Sequence, residues 1–446
     1  MGMNFRNAHK LALVVPFLGL VFLTSLQAQV EIEIIAGEGS KIPITIMPFE
    51  GSSEESEVMA EIISNNLIKT GLFSVRPNDD GWERVSKVER DRYDEWSARQ
   101  VQNLVVGKFS VLDDGRIEVL FRLYDVPGES QSIGRVVKDA PRQIRQVAHY
   151  FSDLIYEKLT GDQGVFRTKL AYVIRTKKES SLVIADSDGY DAKSVYSSKE
   201  PILSPSWSPD GKKLAFVSFN NRRAAIYVLP INIDYRKGRV SGGGVPTIIG
   251  PFPGSNSAPA WSPDGQSLAI AISKDGKSNI FIVRVDDPKN PFQVTNGDSI
   301  NTEPSYSKDG DHLVFTSDKS GRRPQVYQVP VNGGKEIRLT YTGRYNASAE
   351  YSNDGSFIAL INNDEGLFNV ATHDVRSGTL QILTRGSLDQ SPSIAPNGKV
   401  IVYASERGGR GILRFVSKNG RARLLYRGPM GDLREPAWGP LIEEEE

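Results

Sequence analysis

The sequence predicts a multidomain chain in which an N-terminal α+β domain is followed by a six-bladed all-β propeller. Three features carry that prediction. A short motif recurs through the second half, its copies fall at a near-constant interval, and an earlier segment mixes strand-like alternation with helix-like apolar stripes. The motif first reads PSWSPDGKKLAF at 205–216. It returns as PAWSPDGQSLAI at 259–270, PSYSKDGDHLVF at 304–315, AEYSNDGSFIAL at 349–360, PSIAPNGKVIVY at 392–403 and a truncated PAWGP at 436–440.

One copy is a tight hairpin. Ser206 and Trp207 suit an extended strand, Pro209-Asp210-Gly211 is turn material, and Leu214 to Phe216 resumes an apolar strand. Proline pre-sets φ, aspartate bonds nearby backbone, and glycine accepts a positive φ. The inward position of each copy is Trp207, Trp261, Tyr306, Tyr351, Ile394 and Trp438, at intervals of 54, 45, 45, 43 and 44. That period, with several short strands per unit, is the signature of propeller blades. The long first interval implies an insertion near 231–246, where INIDYRKGRVSGGGVP suggests a flexible glycine-rich loop.

The two ends of the repeat region fix the blade count. Residues 168–196 supply three strands with no Trp-Ser-Pro-Asp-Gly strand ahead of them, whereas the copy around Trp438 has that strand and nothing after it. Joining them completes a blade from both ends and gives six. Closure leaves no free radial edge.

Ahead of the propeller the order of segments is legible. Arg6, His9 and Lys10 precede an apolar run from Leu11 to Leu23, and Ser25-Leu26-Gln27-Ala28 offers a small residue for processing. The run is short for a membrane span, so residues 1–28 read as a signal peptide cleaved after Ala28. Residues 29–39 follow as an arm in which Val30, Glu31, Ile32, Glu33 and Ile34 alternate. Such a strand can pair with its own domain or be lent to a partner by strand addition. Residues 40–163 read as the α+β domain. Lys41–Phe49 is a strand, Ser56–Thr70 a helix with Val58, Met59, Ile62, Ile63 and Leu67 on one face, and two strands turn at Asp113-Asp114-Gly115. A second helix, Pro141–Leu159, carries Ile144, Val147, Ala148, Phe151, Leu154 and Ile155 and stops at Gly161. The propeller takes 164–440, and 441–446 is an acidic tail.

Composition removes several functions. Lys plus Arg and Asp plus Glu number 54 each, so there is no electrostatic footprint for nucleic acid. Loss of Arg6 and Lys10 with the leader leaves a formal charge of −2. No cysteine is present for disulfides or lipidation, so membrane association is expected only through partners. A peptidase would need a Gly-x-Ser-x-Gly elbow and a hydrolase domain, and neither is in the sequence. After cleavage the histidines are His149, His312 and His373, with no close ligand spacing. DSDGYD, 186–191, has its glycine in the wrong place for a helix-loop-helix calcium site and reads as a turn. No metal, no cofactor and no catalytic residue are expected, and the chain reads as a monomeric binding scaffold.

The whole chain resembles the TolB family of periplasmic Tol-Pal components. The resemblance rests on EKLTGDQGVFRTKLAYV (157–173), NTEPSYSKDG (301–310), LVFTSDKSGRRPQVYQVPVNGG (313–334) and SPSIAPNGK (391–399), beyond the blade motif. It implies a scaffold that binds the peptidoglycan-associated lipoprotein Pal at the propeller mouth and the C-terminal domain of TolA through its mature N-terminus. The implied role is outer-membrane integrity and invagination of that membrane at cell division. On this resemblance the Pal surface maps to Ser255, Asn256, Ser257, Ala258, Thr302 and Glu303. The rim would be extended by Ser204, Ala347, Ser348, Gln390, Arg434 and Glu435. The TolA segment maps to Gln29, Val30, Glu31, Ile32, Glu33, Ile34 and Ile35, within 29–37. Some relatives carry histidine where this chain has Ser255, so a partner contact made there by an imidazole would be different or absent in this chain. The alternative is a periplasmic propeller holding a small ligand in its channel.

Overall fold

The computed structural model describes residues 30–34, 41–51, 53–76, 82–140, 143–219, 223–234, 237–250, 252–321, 323–386, 388–420, 422–426 and 431–442. The leader, Gln29, Ile35 and the glutamates 443–446 lie outside the described residues.

The N-terminal domain is a mixed sheet with helices on both faces. Its strand order is Phe73–Arg76, Ile42–Ile46, Asn103–Val111, Ile117–Asp125 and Ser130–Asp139; the first pairings are parallel and the last two antiparallel. Helices α1 (Ser53–Lys69) and α3 (Ile144–Thr160) cover one face. Met59, Ile62, Ile63 and Leu67 are buried as their spacing predicts, whereas Val58 is 38% exposed. One residue step is 100° around a helix, which carries Val58 off the stripe set by the other four. Phe151 of α3 stacks on Phe121 of the sheet at 4.4 Å. Gly161, at φ 76°, ends α3. The opposite face is covered by a short helix, α2 (Tyr93–Ala98), and Trp96 is its anchor. Neither α2 nor the strand Ser130–Asp139 was foreseen in the sequence.

The propeller has six sheets arranged around a channel. Blade 1 uses Lys169–Arg175, Ser180–Asp186 and Lys193–Ser198, and its innermost strand is Asp432–Trp438 from the far end of the chain. That strand pairs antiparallel with Lys169–Arg175 and closes the ring. The innermost strands of the other blades are Ile202–Trp207, Ser255–Trp261, Asn301–Tyr306, Tyr345–Tyr351 and Gln390–Ile394, and each touches the next around the ring. Blade 2 corrects one expectation. The insertion is a hairpin, in which Ala225–Asp234 extends past the blade and pairs with Arg239–Gly243. Its apolar Ile231 and Val240 are buried against blades 1 and 2, which is why a glycine-rich segment is ordered.

The recurring aromatic joins blades. Trp207 donates its indole N–H to Ala437 O at 3.2 Å and Trp261 to Ser206 O at 3.1 Å, each on the preceding inner strand. In the turn that follows, Ser208 Oγ meets Asp210 Oδ1 at 2.5 Å while the Lys213 amide donates to Ser208 Oγ at 2.9 Å. Ser262, Ser307 and Ser352 repeat the pattern with Asp264, Asp309 and Asp354. Trp261→Phe should lose the interblade hydrogen bond but keep most of the packing, at a cost of about 1–2 kcal/mol. Trp261→Ala should cost about 3–5 kcal/mol. Urea unfolding measures both, and a Phe variant as stable as wild type would reduce the contact to packing alone.

Candidate functional site

Each inner strand carries one residue that breaks the sheet register in the same way. Ser204, Ala258, Glu303, Ser348, Ser391 and Glu435 all have φ between 48° and 53°. In every blade the pairing of the inner strand slips across this residue, so each is a bulge. Proline follows it in five blades, in keeping with the amide that a bulge leaves out of the ladder. The six bulges form a ring within the channel. Beyond it, toward the Ser-Pro-Asp-Gly turns, lies a cavity of about 650 Å³.

Two of the bulge residues are glutamates, and both bridge blades. Glu303 accepts from Thr316 Oγ1 at 2.8 Å, from the Ser348 amide at 2.8 Å and from Ser348 Oγ at 2.9 Å. Glu435 accepts from the Ser204 amide and, at 3.4 Å, from Ser391 Oγ. Each therefore caps the bulge of the next blade. Burial raises Glu435 above the ordinary carboxylate range, and the negative charge of Glu303 adds to the shift. Glu350, two residues past a bulge, accepts from the Ile394 amide at 2.9 Å and is pushed up to about 7 by burial.

The predicted mouth residues fall on the start of two adjacent inner strands. Ser255 is exposed and Ser257, Ala258, Thr302 and Glu303 are half-buried. Asn256 turns inward: it is 2% exposed and its Nδ2 donates to Phe252 O at 3.3 Å. Its side chain braces the loop instead of facing solvent. The stretch from Ser255 to Glu303 thus spans blades 3 and 4 at one opening of the channel. Of the extended rim, Ala347 is buried and Gln390 exposed, while Arg434 is half-buried. The sixfold bulge itself went unseen in the sequence, although the proline two residues before the repeated large apolar residue in five of the six copies was its signal.

The N-terminal arm is a strand, and it belongs to the propeller. Val30–Ile34 pairs antiparallel with Ala422–Tyr426, with Ile32 opposite Leu424, and becomes the fifth, outermost strand of blade 6. The alternation at Val30 to Ile34 predicted a strand; it did not select the propeller edge over the α+β domain.

A second concentration of polar groups is buried where the two domains meet, and it uses the DSDGYD turn. Lys169 Nζ contacts Asp186 Oδ1 and donates to Gly238 O of the blade 2 hairpin at 2.6 Å. Arg145 of α3 pairs with Asp188. His149 Nδ1 accepts from Asn66 Nδ2 at 2.8 Å, which leaves the ring proton on Nε2, 3.8 Å from Asp188 Oδ2. Burial depresses His149 to about 3, so it is neutral. His149, Asp186 and Asp188 lie close enough to hold an ion, but Lys169 and Arg145 already occupy the carboxylates. The turn also needs its glycine. A Cβ on Gly189, at φ 87°, would lie 1.8 Å from the Tyr426 ring, whose hydroxyl donates to Gly189 O at 2.8 Å. The linker is pinned as well, because Asp153 Oδ1 accepts from the Phe166 amide at 2.8 Å and Asn397 Nδ2 donates to Gln163 O at 2.9 Å.

A closed six-bladed ring with a polar, bulge-lined channel, preceded by a domain of strands and helices, defines the protein as a six-bladed β-propeller protein. Comparison with known proteins makes this specific. Residues 156–442 match the family model for the TolB beta propeller domain and 30–132 that for the TolB amino-terminal domain. The Tol-Pal system protein TolB of Bordetella parapertussis is 38% identical over 98% of this chain and 96% of its own. That of Methylobacillus flagellatus is 42% identical over 93% of each. The crystal structure of TolB from Acinetobacter baumannii superposes with a TM-score of 0.82 at 35% identity, covering 93% of this chain and all of that one. The chain belongs to the TolB family.

Two of the strongly shifted groups, Glu350 and His149, make opposite contributions to stability against pH. Glu350, raised from 4.5 to about 7, contributes stability that is complete below 4.5 and is lost as pH rises to about 7. His149, lowered from 6.5 to about 3, contributes stability present above 6.5 that is lost as pH falls toward 3. Each slope is at most about 1.4 kcal/mol per pH unit. Relative to wild type, Glu350→Gln should gain stability from pH 4.5 to 7 and His149→Gln should gain it on acidification below 6.5. Chemical unfolding at half-unit pH steps would reveal both, and parallel curves for variant and wild type would refute the assignment.

Proposed function

We propose that this chain is a periplasmic scaffold of the Tol-Pal system that works by binding. Its channel mouth takes the lipoprotein Pal, and its mature N-terminal segment, from Gln29 to Gly37, takes the C-terminal domain of TolA. Export with cleavage after Ala28 delivers it to the periplasm. Its contribution is to outer-membrane integrity and to invagination of that membrane during division. Binding fits better than catalysis, because the channel carboxylates Glu303, Glu435 and Glu350 are engaged in blade-to-blade hydrogen bonds.

The observation that carries this reading is the docked arm. In strand addition, main-chain groups of an extended segment pair with an open sheet edge. Here Val30–Ile34 makes that pairing within its own chain, on blade 6. A partner that takes the main-chain edge now paired with Ala422–Tyr426 competes with docking, and these are the two states of the arm that the coupling requires. If Pal at the mouth shifts the arm between these states, the arm shifts Pal affinity by the same factor. The junction from Thr160 to Thr168 is the connecting element, with Asp153, Phe166 and Asn397 pinning it.

Calorimetric titration of residues 29–446 with the soluble domain of the cognate Pal tests the mouth. Glu303→Lys should weaken binding at least tenfold. Because Glu303 also braces Ser348, Glu303→Gln and a circular dichroism melt accompany it to separate lost binding from lost fold. A folded charge-reversal variant that binds like wild type would move Pal elsewhere. Absence of any Pal binding would instead favour a small ligand in the 650 Å³ channel cavity. Deleting 29–37 should change Pal affinity, and unchanged affinity would end the coupling proposal.

A further inference from the structure

The edge on which the arm docks differs from the arm in charge as well as matching it in main-chain groups. Residues 164–442 carry 36 Lys and Arg against 26 Asp and Glu, whereas 29–40 carry three glutamates and no cation. The contrast is sharpest where the two meet. The receiving segment, RARLLYR at 421–427, has three arginines and no acid, and the arm reads VEIEI at 30–34.

The register sorts both strands into two matching faces. Glu33 lies opposite Arg423 and Glu31 opposite Leu425, while Val30, Ile32 and Ile34 lie opposite Tyr426, Leu424 and Ala422. Successive strand residues alternate between faces, and directly opposed residues share one. The face that carries Tyr426 is the inner one, because Tyr426 is fully buried and its hydroxyl donates to Gly189 O at 2.8 Å and meets Tyr172 Oη at 3.0 Å, both in blade 1. Glu31, Glu33 and Arg423 therefore occupy positions on the other face. The next strand inward adds Arg414 to that face, opposite Leu425, and Arg414 Nε is buried without a hydrogen-bond partner. A one-residue slip would exchange the faces and put both glutamates on the apolar side.

Length singles out the same edge. The outermost strands of blades 3, 4 and 5 are Phe292–Gln293, Ile337–Arg338 and Leu380–Ile382, two or three residues each against five in Ala422–Tyr426. None of those three matches the full arm.

We propose that Arg423 determines which segment docks on blade 6: the edge accepts an extended chain that alternates apolar residues with carboxylates, and its hold weakens with salt. Opposite charges directly across an antiparallel pair stabilise it, and like charges destabilise it. The net positive propeller also attracts the acidic arm from a distance, which favours its return after release. The inference rests on the docked state of the arm used in the proposed function, and not on the identity of either partner.

Hydrogen–deuterium exchange of residues 29–446 reads the docking equilibrium from the amides of Val30 to Ile34. Arg423→Glu and Glu33→Lys should each speed that exchange by about three- to tenfold. The double variant, with opposite charges restored in the same register, should return to within about twofold of wild type. Raising NaCl from about 20 to about 500 mM should speed exchange of the wild-type arm. Should Arg423→Glu fail to fold, Arg423→Gln and Glu33→Gln complete the same cycle, and the second neutralisation should then add little to the first. A wild-type arm that exchanges as fast as an unstructured peptide, exchange independent of salt, reversals without effect, or a double reversal as fast as the singles would each overturn the proposal. None of these results bears on Pal at the mouth, which the calorimetric titration decides separately.

Discussion

Everything in the propeller depends on one antiparallel pairing, that of Asp432–Trp438 with Lys169–Arg175. Blade 1 has no inner strand of its own, so until the far end of the chain arrives its inner face is open and the ring has two edges. Pairing joins residues separated by most of the propeller's length and sets the channel diameter. It also brings Trp438 to the domain junction, where its indole N–H donates to Thr168 Oγ1 at 2.8 Å. Closure of the ring and attachment of the N-terminal domain are therefore not separate events. The segment immediately before Lys169 is the linker, and Trp438 holds both.

The channel owes its character to the bulges. A regular inner strand would alternate its side chains and keep its amides in the ladder. The left-handed residue at each bulge turns the strand and frees an amide toward the channel, where a glutamate from the neighbouring blade can accept it, as Glu303 does from Ser348. Non-glycine residues at positive φ are strained by about 1 kcal/mol or more each. At Ser348 and Ser204 the strain is offset by hydrogen bonds to a glutamate of the preceding blade, which puts buried polar groups on the channel wall.

The domain junction shows the opposite strategy, a buried electrostatic cluster. Lys169, Asp186, Asp188, Arg145 and His149 come from helix α3, two strands of blade 1 and the turn between blade strands. Breaking one member of such a network leaves its partner charged and buried, which is far costlier than the pair is favourable. The cluster is thus better suited to fixing one relative position of the domains than to adding stability. The blade 2 hairpin reaches into it through Gly238 O, which gives the insertion a structural role.

Much of this was legible in the sequence. Periodicity of 43 to 54 residues, proline and glycine at fixed offsets, and the missing strand at each end determined the blade number and the closure, because those signals are local turn chemistry repeated. Helices α1 and α3 of the N-terminal domain followed from apolar spacing, apart from Val58, whereas the short α2 did not. What the sequence could not supply were relations between distant residues. The arm's alternation allowed a strand but named no edge, since any open edge offers the same main-chain groups; the fold presented Ala422–Tyr426. Asn256 reads as a surface polar residue and is buried, because the loop folds it back onto Phe252. DSDGYD is a turn by composition, and only packing against α1 and α3 made it a charged junction with Lys69 beside it. Local backbone preference is written in adjacent residues, whereas burial and charge pairing depend on which surfaces meet.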